Sequence, residues 1–319
     1  MRAIIHPAPD VIELAERPDP VPGEHQVLIA VKAAGLNRAD LLQRAGKYPA
    51  PPGWPADIPG LEYAGEVRQL GPGVTRWRIG DRVMGLTGGG AHAELVVVHQ
   101  DETMAMPHGM SFADAAAIPE AFMTAWDAIV LRGRAQHGDR VLVHAIGSGV
   151  GTAAAQLGRL LGLTIVGTSR TAEKLERCQA LGMAHGVLTS DADWPARVGV
   201  PMQVIVDTLG AQVLEQNLRL LSVRGRLIVL GTMTGSRAPG LDLSLVLRKR
   251  LEIIGTVMRG RPLSERTELV ARFAAEVLPH FDAGALVPVV DQVLPMTEIN
   301  EAHRLLGANA TFGKVILAW

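Results

Sequence analysis

The chain has 319 residues, 48% of them apolar, with 31 Lys and Arg set against 32 Asp and Glu for a formal net charge of −1. That length favours about two domains with sizeable cores, and the balance of charge gives no electrostatic reason to expect nucleic acid or an anionic membrane surface as partner. The single cysteine, Cys178, excludes an internal disulfide and a cysteine-rich zinc site, and no run resembles a signal peptide or a membrane span, so the expected setting is the cytoplasm.

Residues 1 to about 115 read as β-rich. MRAIIH, HQVLIAVKAAGL, YAGEVRQLG, DRVMGL and AELVVVH are short runs with period-2 character, separated by turns such as Pro22-Gly23, Pro59-Gly60 and Gly71-Pro72-Gly73. This spacing predicts a small, partly open barrel or a sandwich. A short helix over Arg38 to Ala45 leads into a Pro-rich loop, Lys47 to Pro55, which can wall a site or serve structure alone. Asn37 is placed to cap that helix. Tyr48, in the loop, is either an amphipathic loop aromatic or a hydrogen-bond donor, since a phenol with an ordinary pKa near 10 keeps its proton at pH 7. The other tyrosine, Tyr63, falls in a strand pattern.

At Ser111 the periodicity changes to that of a helix, SFADAAAIPEAFMTAWDAIVLRG, with Ser111 as N-cap. Arg140 to Ala145 is then a short apolar strand, followed by Gly147, Gly149 and Gly151 and a helix of small and apolar residues ending at Gly162. A second apolar run, Leu163 to Val166, stops at Thr168, Ser169 and Arg170. Strand, glycine turn, helix, strand is the signature of a dinucleotide-binding unit. Glycines turn the chain tightly and let a pyrophosphate approach the N–H groups of Gly147, Ser148, Gly149 and Val150 at the positive end of the helix. The match to G-x-G-x-x-G is imperfect, because with Gly151 as third glycine the first two positions are Ile146 and Ser148. An NAD-specific unit carries an acid about 20 residues on. Here Ser169, Arg170 and Lys174 stand instead, fitting either a 2′-phosphate or a solvated helix start, and the expected cofactor is NADPH.

Strand and helix keep alternating: HGVL, DADWPARV, VIVDTLG, AQVLEQNLRLLSVRG, RLIVLG, SLVLRKR and LEIIGTV. The pattern predicts an α/β protein with a doubly wound parallel sheet of about six strands. Ligands of such sheets lie past the carboxyl ends of the strands, which makes Leu209 and Gly210, Gly231 and Thr232, and Met258 and Arg259 candidates. Leu263 to Phe281 reads as one long helix and Thr297 to Leu306 as an amphipathic one. Lys314 to Ala318 is a final strand that should close back onto the first domain. Cys178 reads as packing, and His92, His99 and His144 as scattered residues whose spacing fits no ligand set.

GLNRADLLQRAGKYPAPPG (Gly35 to Gly53), PGLEYAGEV (Pro59 to Val67), the Gly71 to Gly73 turn, AAAIPEAFMTAW (Ala115 to Trp126), VHAIGSGVGTAAAQL (Val143 to Leu157), TEINEAH (Thr297 to His303) and GKVIL (Gly313 to Leu317) follow one another along the chain. With them, almost the whole chain resembles the zinc-free quinone oxidoreductases, zeta-crystallin-like, of the medium-chain dehydrogenase/reductase superfamily. NRADLLQR before KYPAPPG is most similar to their tumour-suppressor-inducible branch. The resemblance implies a GroES-like catalytic domain over residues 1–120 completed by 262–319, a Rossmann NADPH-binding domain over 121–261, and a homodimer. It implies NADPH-dependent reduction of a quinone; the alternatives are reduction of the activated C=C bond of a 2-alkenal or enoyl thioester, or NADPH binding without catalysis. Zinc-dependent relatives carry Cys where this chain has Asn37 and Gly-His-Glu where it has Gly60-Leu61-Glu62, so no metal is expected. Tyr48 and Ser148 are implied as the catalytic pair, with Asn37 using its amide on substrate or ribose, Thr124 near the nicotinamide, and Lys314 reaching the cofactor from the last strand.

Overall fold

Turns rich in Pro and Gly cut the first part of the chain into short strands, seen in the computed structural model, which describes residues 1–238 and 240–319. They are β1 (Arg2–Ile5), β2 (Glu13–Glu16), β3 (Gln26–Gly35), β4 (Glu62–Leu70), β5 (Arg82–Leu86), β6 (Leu95–His99) and β7 (Thr103–Ala105), with helix α1 (Arg38–Arg44) after β3. Two helices follow, α2 (Phe112–Ala115) and α3 (Pro119–Trp126). Ser111 caps α2 as expected, its Oγ accepting from the Asp114 N–H at 3.1 Å. The predicted single helix is interrupted before Pro119, whose ring cannot continue a helix begun upstream.

Next come β8 (Arg140–Val143), α4 (Gly149–Leu160), β9 (Thr164–Ser169), α5 (Ala172–Leu181), β10 (Met183–Leu188), α6 (Trp194–Val198) and β11 (Met202–Asp207). After them run α7 (Leu214–Leu220), β12 (Leu221–Val229), α8 (Leu243–Lys249) and β13 (Glu252–Gly255). The chain ends with α9 (Leu263–Glu276), α10 (Pro279–Asp282), β14 (Val290–Pro295), α11 (Ile299–Gly307) and β15 (Lys314–Ala318). Residues 1–123 with 258–319 form one compact unit and residues 124–257 a second.

The first unit is built on a seven-stranded sheet in the order β14-β15-β3-β4-β5-β7, with β6 also paired to β3. β15 lies antiparallel on β3, Leu317 opposite Ala34, so the last strand closes onto the first sheet as the sequence suggested. Val27, Ile29, Val31, Tyr63, Val96 and Leu317 are core residues here, supplied by the period-2 faces of the strands. Tyr63 is fully buried, its hydroxyl 3.0 Å from the Thr103 hydroxyl.

The second unit is a six-stranded sheet in the order β10-β9-β8-β11-β12-β13, with every neighbouring pair parallel. The order reverses between β8 and β11, the point at which open α/β sheets bind nucleotides. Two boundaries differ from the sequence pattern. α7 stops at Leu220 because Leu221 already pairs with Met202 in the sheet, and the helix expected over Leu263 to Phe281 breaks after Glu276 and restarts at Pro279.

Candidate functional site

In the second unit the glycine turn follows β8 directly. Ala145 adopts φ 51°, a left-handed conformation that costs an alanine about 1 kcal/mol. Ser148 is the N-cap of α4, its Oγ accepting from the Gly151 N–H at 3.1 Å. That bond leaves the Ser148 hydroxyl proton available and leaves the N–H groups of Gly149 and Val150 without an acceptor within the helix. A Cβ at Gly151 would lie 2.3 Å from the Ile146 oxygen, and one at Gly147 would lie 2.9 Å from Cδ of Lys174. The Lys174 stem thus runs over the turn. At the end of β9, Ser169 is buried and accepts from the Thr171 N–H at 3.2 Å, while Arg170 is exposed. Ser169, Arg170 and Lys174 therefore gather two cations and a hydroxyl beside the turn, with no acid at the strand end. This is a fitting cradle for a pyrophosphate and a further phosphate.

The other strand ends serve differently. Asp207, at the end of β11, accepts from the N–H groups of Leu209 at 2.7 Å and Gly210 at 3.1 Å. Leu209 and Gly210, expected to contact a cofactor, thus have their donors committed to an Asx turn. Asp207 also accepts from Asn217 at 3.2 Å, and Asn217 in turn contacts His144 at 2.8 Å, whose other nitrogen lies 2.9 Å from Thr168 Oγ1. His144 is thereby a buried structural histidine. Gly231 is half-buried and Thr232 exposed after β12. Two buried hydroxyls, of Thr124 and Thr208, have no partner among the described residues; Thr208 was not singled out from sequence, although it directly follows the β11 run.

In the first unit, polar residues converge on Glu62 at the start of β4. Its Oε1 accepts from Lys314 Nζ at 2.5 Å and from Asn37 Nδ2 at 2.9 Å, and its Oε2 accepts from the Glu120 N–H at 2.8 Å. Lys314 Nζ also donates to the Leu36 carbonyl at 2.9 Å and Asn37 Oδ1 at 2.6 Å. Asn37 Nδ2 gives its second proton to the Gly35 carbonyl at 3.2 Å. All three ammonium protons of Lys314 and both amide protons of Asn37 are therefore used inside this unit. That corrects the expectation that Lys314 reaches the cofactor and that Asn37 spends its amide on a ligand: both hold a buried carboxylate in place. Asp40, fully buried in α1, accepts from the Asn37 N–H at 2.7 Å and the Gly60 N–H at 3.2 Å, and burial still raises its pKa to about 6.

Next to this network lies a pocket whose apolar wall includes Leu61, Leu86, Met123, Met258 and Val270. Glu120 and Arg259 also line it. The Glu120 carboxyl has no partner among the described residues, and burial together with the neighbouring Glu62 lifts its pKa to about 8. Arg259 is 6% exposed; its Nε donates to the Gly88 carbonyl at 2.7 Å and one terminal nitrogen to the Tyr48 carbonyl at 3.2 Å. Its guanidinium carbon stands 4.9 Å from the centre of the Tyr48 ring, a cation–π contact that pins the Pro-rich loop. Tyr48 is half-buried, and burial first, with Glu120 adding to it, raises its pKa, so the phenol keeps its proton.

The histidines are less scattered than their spacing suggested. His92 and His303 are buried, and His6 and His303 stand 6.1 Å apart ring to ring. None of the six ring nitrogens of His6, His92 and His303 has a partner among the described residues, and burial first lowers the pKa of both His92 and His303 to about 3. Among the described residues no group of three or more His, Cys, Asp or Glu is arranged to hold a metal ion. Cys178 is buried, its thiol directed at the Ile146 carbonyl at 3.5 Å, as packing requires.

A parallel nucleotide-binding sheet and a GroES-like unit in one chain define a class. Residues 23–108 match the family described as alcohol dehydrogenase GroES-like domain and residues 149–276 that described as zinc-binding dehydrogenase. The chain belongs to the medium-chain dehydrogenase/reductase superfamily. It is 32% identical to the synaptic vesicle membrane protein VAT-1 homolog of Rattus norvegicus, over 97% of this chain and 81% of that one. It is 30% identical to a quinone oxidoreductase of Pseudomonas aeruginosa, over 97% and 96%. Among solved structures, Escherichia coli quinone oxidoreductase complexed with NADPH superposes with a TM-score of 0.90 at 26% identity, covering 100% of both chains. CurK enoyl reductase superposes with a TM-score of 0.86 at 26% identity, covering 99% of this chain and 98% of that one.

Proposed function

We propose that the protein is an NADPH-dependent quinone reductase that works without zinc. The observation that carries this reading is the end of β9, where Ser169, exposed Arg170 and Lys174 replace the acid of an NAD-specific site. The likeness to a quinone oxidoreductase complexed with NADPH supports it. When bound, NADPH supplies a hydride, and with one proton the quinone becomes a hydroquinone.

The chain's own residues supply position and electrostatics. The N–H groups of Gly149 and Val150 hold the pyrophosphate, with the glycines at 147 and 151 keeping the approach open, and Arg170 and Lys174 hold the 2′-phosphate; the Ser148 N–H, expected to join them, is spent on the Ala145 carbonyl at 2.9 Å. The unpartnered hydroxyl of Thr124 serves the nicotinamide amide. Tyr48, its proton retained by burial, donates to the acceptor oxygen, and Ser148 retains a hydroxyl proton for the same use. Lys314 supports the metal-free reading: its ammonium occupies Asn37 and Glu62, and a second cation there would meet like-charge repulsion. A second reading, reduction of an activated C=C bond, is favoured by the likeness to an enoyl reductase.

The test is the rate of NADPH and of NADH oxidation by chelator-treated protein with 1,2-naphthoquinone and, separately, with a 2-alkenal. Quinone-dependent oxidation that prefers NADPH and survives chelation is expected. Turnover of the alkenal alone selects the second reading, loss on chelation refutes zinc independence, and silence with both acceptors leaves a cofactor-binding protein.

A further inference from the structure

At the carboxyl edge of the second unit's sheet, the ladders that join β8 to β9 and to β11 stop at Val143, opposite Gly167 and Val206. Two backbone bonds run past them, from the His144 N–H to the Val206 carbonyl at 3.1 Å and from the Ile146 N–H to the Thr168 carbonyl at 3.0 Å. Beyond those, side chains join the three strand ends. Thr168 Oγ1 stands 2.9 Å from His144 Nδ1, His144 Nε2 stands 2.8 Å from Asn217 Oδ1, and Asn217 Nδ2 donates to Asp207 Oδ2 at 3.2 Å. The other oxygen of Asp207 accepts from the N–H groups of Leu209 and Gly210. Thr168, His144, Asn217 and Asp207 are each at most 1% exposed, so solvent offers them no other partner, and the chain of bonds has one direction. The carboxylate takes the amide N–H of Asn217, which turns the amide oxygen toward His144; Nε2 then carries the ring proton and Nδ1 accepts from the Thr168 hydroxyl. Reversing one link would set two acceptors face to face. Burial first, with Asp207 opposing it, lowers the pKa of His144, so the ring is neutral at pH 7.

We propose that His144 is a positioning residue of the cofactor site, holding the glycine turn after β8 and the Ser169-Arg170 end of β9 at the spacing of the two phosphates of an adenosine 2′,5′-bisphosphate unit. This deepens, and rests on, the NADPH reading of that site. His144 directly precedes Ala145, the left-handed residue that opens the turn, and Thr168 directly precedes Ser169 and Arg170. The bond between their side chains therefore ties the donors that meet the 5′-phosphate to the cations that meet the 2′-phosphate. Either phosphate can bind its own group of donors whether or not the two groups are fixed to each other. A molecule carrying both gains from the second contact only if the spacing is set beforehand, because ordering the two loops at the moment of binding would consume that gain. Asn217 and Asp207 act one step further back. They hold the imidazole in the tautomer that can accept from Thr168, as a carboxylate does for a ligating or catalytic histidine.

The experiment titrates the full chain with adenosine 2′,5′-bisphosphate, 2′-AMP and 5′-AMP by calorimetry, which needs no turnover. The wild type is expected to bind the bisphosphate about tenfold or more tightly than either monophosphate. Thr168→Val removes one hydroxyl and keeps the branched shape, and His144→Phe keeps a ring against Trp194, whose centre lies 5.4 Å from that of the imidazole. Each variant should bind the two monophosphates within about twofold of the wild type and the bisphosphate about fivefold or more weakly. Thr168→Ser, which retains the hydroxyl, should keep the full preference. A preference for the bisphosphate that survives in folded Thr168→Val or His144→Phe overturns the proposal, and so does an equal loss for all three ligands, which is what a role in stability alone would give; Tm is recorded for each protein. Two results on the wild type overturn it even if the variants fail to fold: no preference for the bisphosphate, or a 15N spectrum of the histidine-labelled protein in which His144 carries its proton on Nδ1. Turnover of 1,2-naphthoquinone with NADPH, measured alongside, separates the two readings. A bisphosphate preference that depends on Thr168 without quinone turnover keeps the positioning role and removes the reductase; turnover with the preference intact in the variants removes the positioning role alone.

Discussion

His303 offers a direct check on the electrostatics of the first unit. It lies in α11, is 2% exposed and has both ring nitrogens unpartnered among the described residues. Burial first, then the charges of His92, His6 and Arg44, lower its pKa from 6.5 to about 3. Above pH 6.5 the ring is neutral in the folded and the unfolded chain, and no pH dependence arises from it. Below that value the unfolded chain takes up a proton that the folded chain refuses until about pH 3, so folding stability falls as the pH falls through this window. Between pH 7 and pH 5 the loss is about 2 kcal/mol for this one group. His303→Leu removes the titration together with two buried unpartnered nitrogens. The variant should match or exceed the wild type at pH 7 and gain a further ~2 kcal/mol on it by pH 5, read from urea unfolding curves at both pH values. Because Asp40, Glu120, His6 and His92 are present in both proteins, the difference between the curves reports His303 together with its coupling to the two neighbouring imidazoles. A difference that stays constant from pH 7 to pH 5 would show that the folded protein protonates this ring freely, and would refute the assignment of a dry, cation-excluding environment.

Arg170→Ala should raise the Michaelis constant for NADPH about tenfold or more by removing a charge-assisted contact, while leaving that for NADH nearly unchanged; equal effects on the two cofactors would count against the phosphate assignment. Tyr48→Phe should lower turnover by tenfold or more with little change in NADPH affinity, and full activity would remove the phenol from the mechanism. Lys314→Met strands the buried Glu62 carboxylate and should cost about 3–5 kcal/mol of stability. Adding Glu62→Gln should recover much of that loss, and a strictly additive double variant would contradict the pairing.

What could be read from the chain alone follows the range of the interaction. The parallel sheet was legible because strands buried on both faces must be apolar throughout, as VLV and VIV are, and because the apolar run of β9 gives way to polar residues that lead to the exposed Arg170. The helix over Leu263 to Phe281 misled because its apolar periodicity continues across Pro279, where the missing N–H interrupts the helix. Leu209 and Gly210 obeyed the strand-end rule, yet the side chain of Asp207 reaches forward and takes their donors. Asn37 and Lys314 could be named as site residues but not given their work, since each is bonded to Glu62 far along the chain. Likewise His6, His92 and His303 lie in three separate stretches, and only folding brings them together. Arg259 stood at the right place after β13; that one of its donors is unsatisfied is a property of three dimensions.

The bond between Lys314 and Glu62 joins residues 252 positions apart, and this sets an order of assembly. Residues 124–257 are contiguous, so a ribosome can release a complete parallel sheet while the unit that it interrupts still lacks β14 and β15. Until the final strand emerges, β3 is paired to β4 around Ala34 but keeps its other edge open there, and Glu62 stays without its counter-ion. A chain cut short by only its last few residues would therefore carry a finished nucleotide-binding fold alongside a sticky, charge-frustrated partner, the kind of product that cellular proteolysis removes.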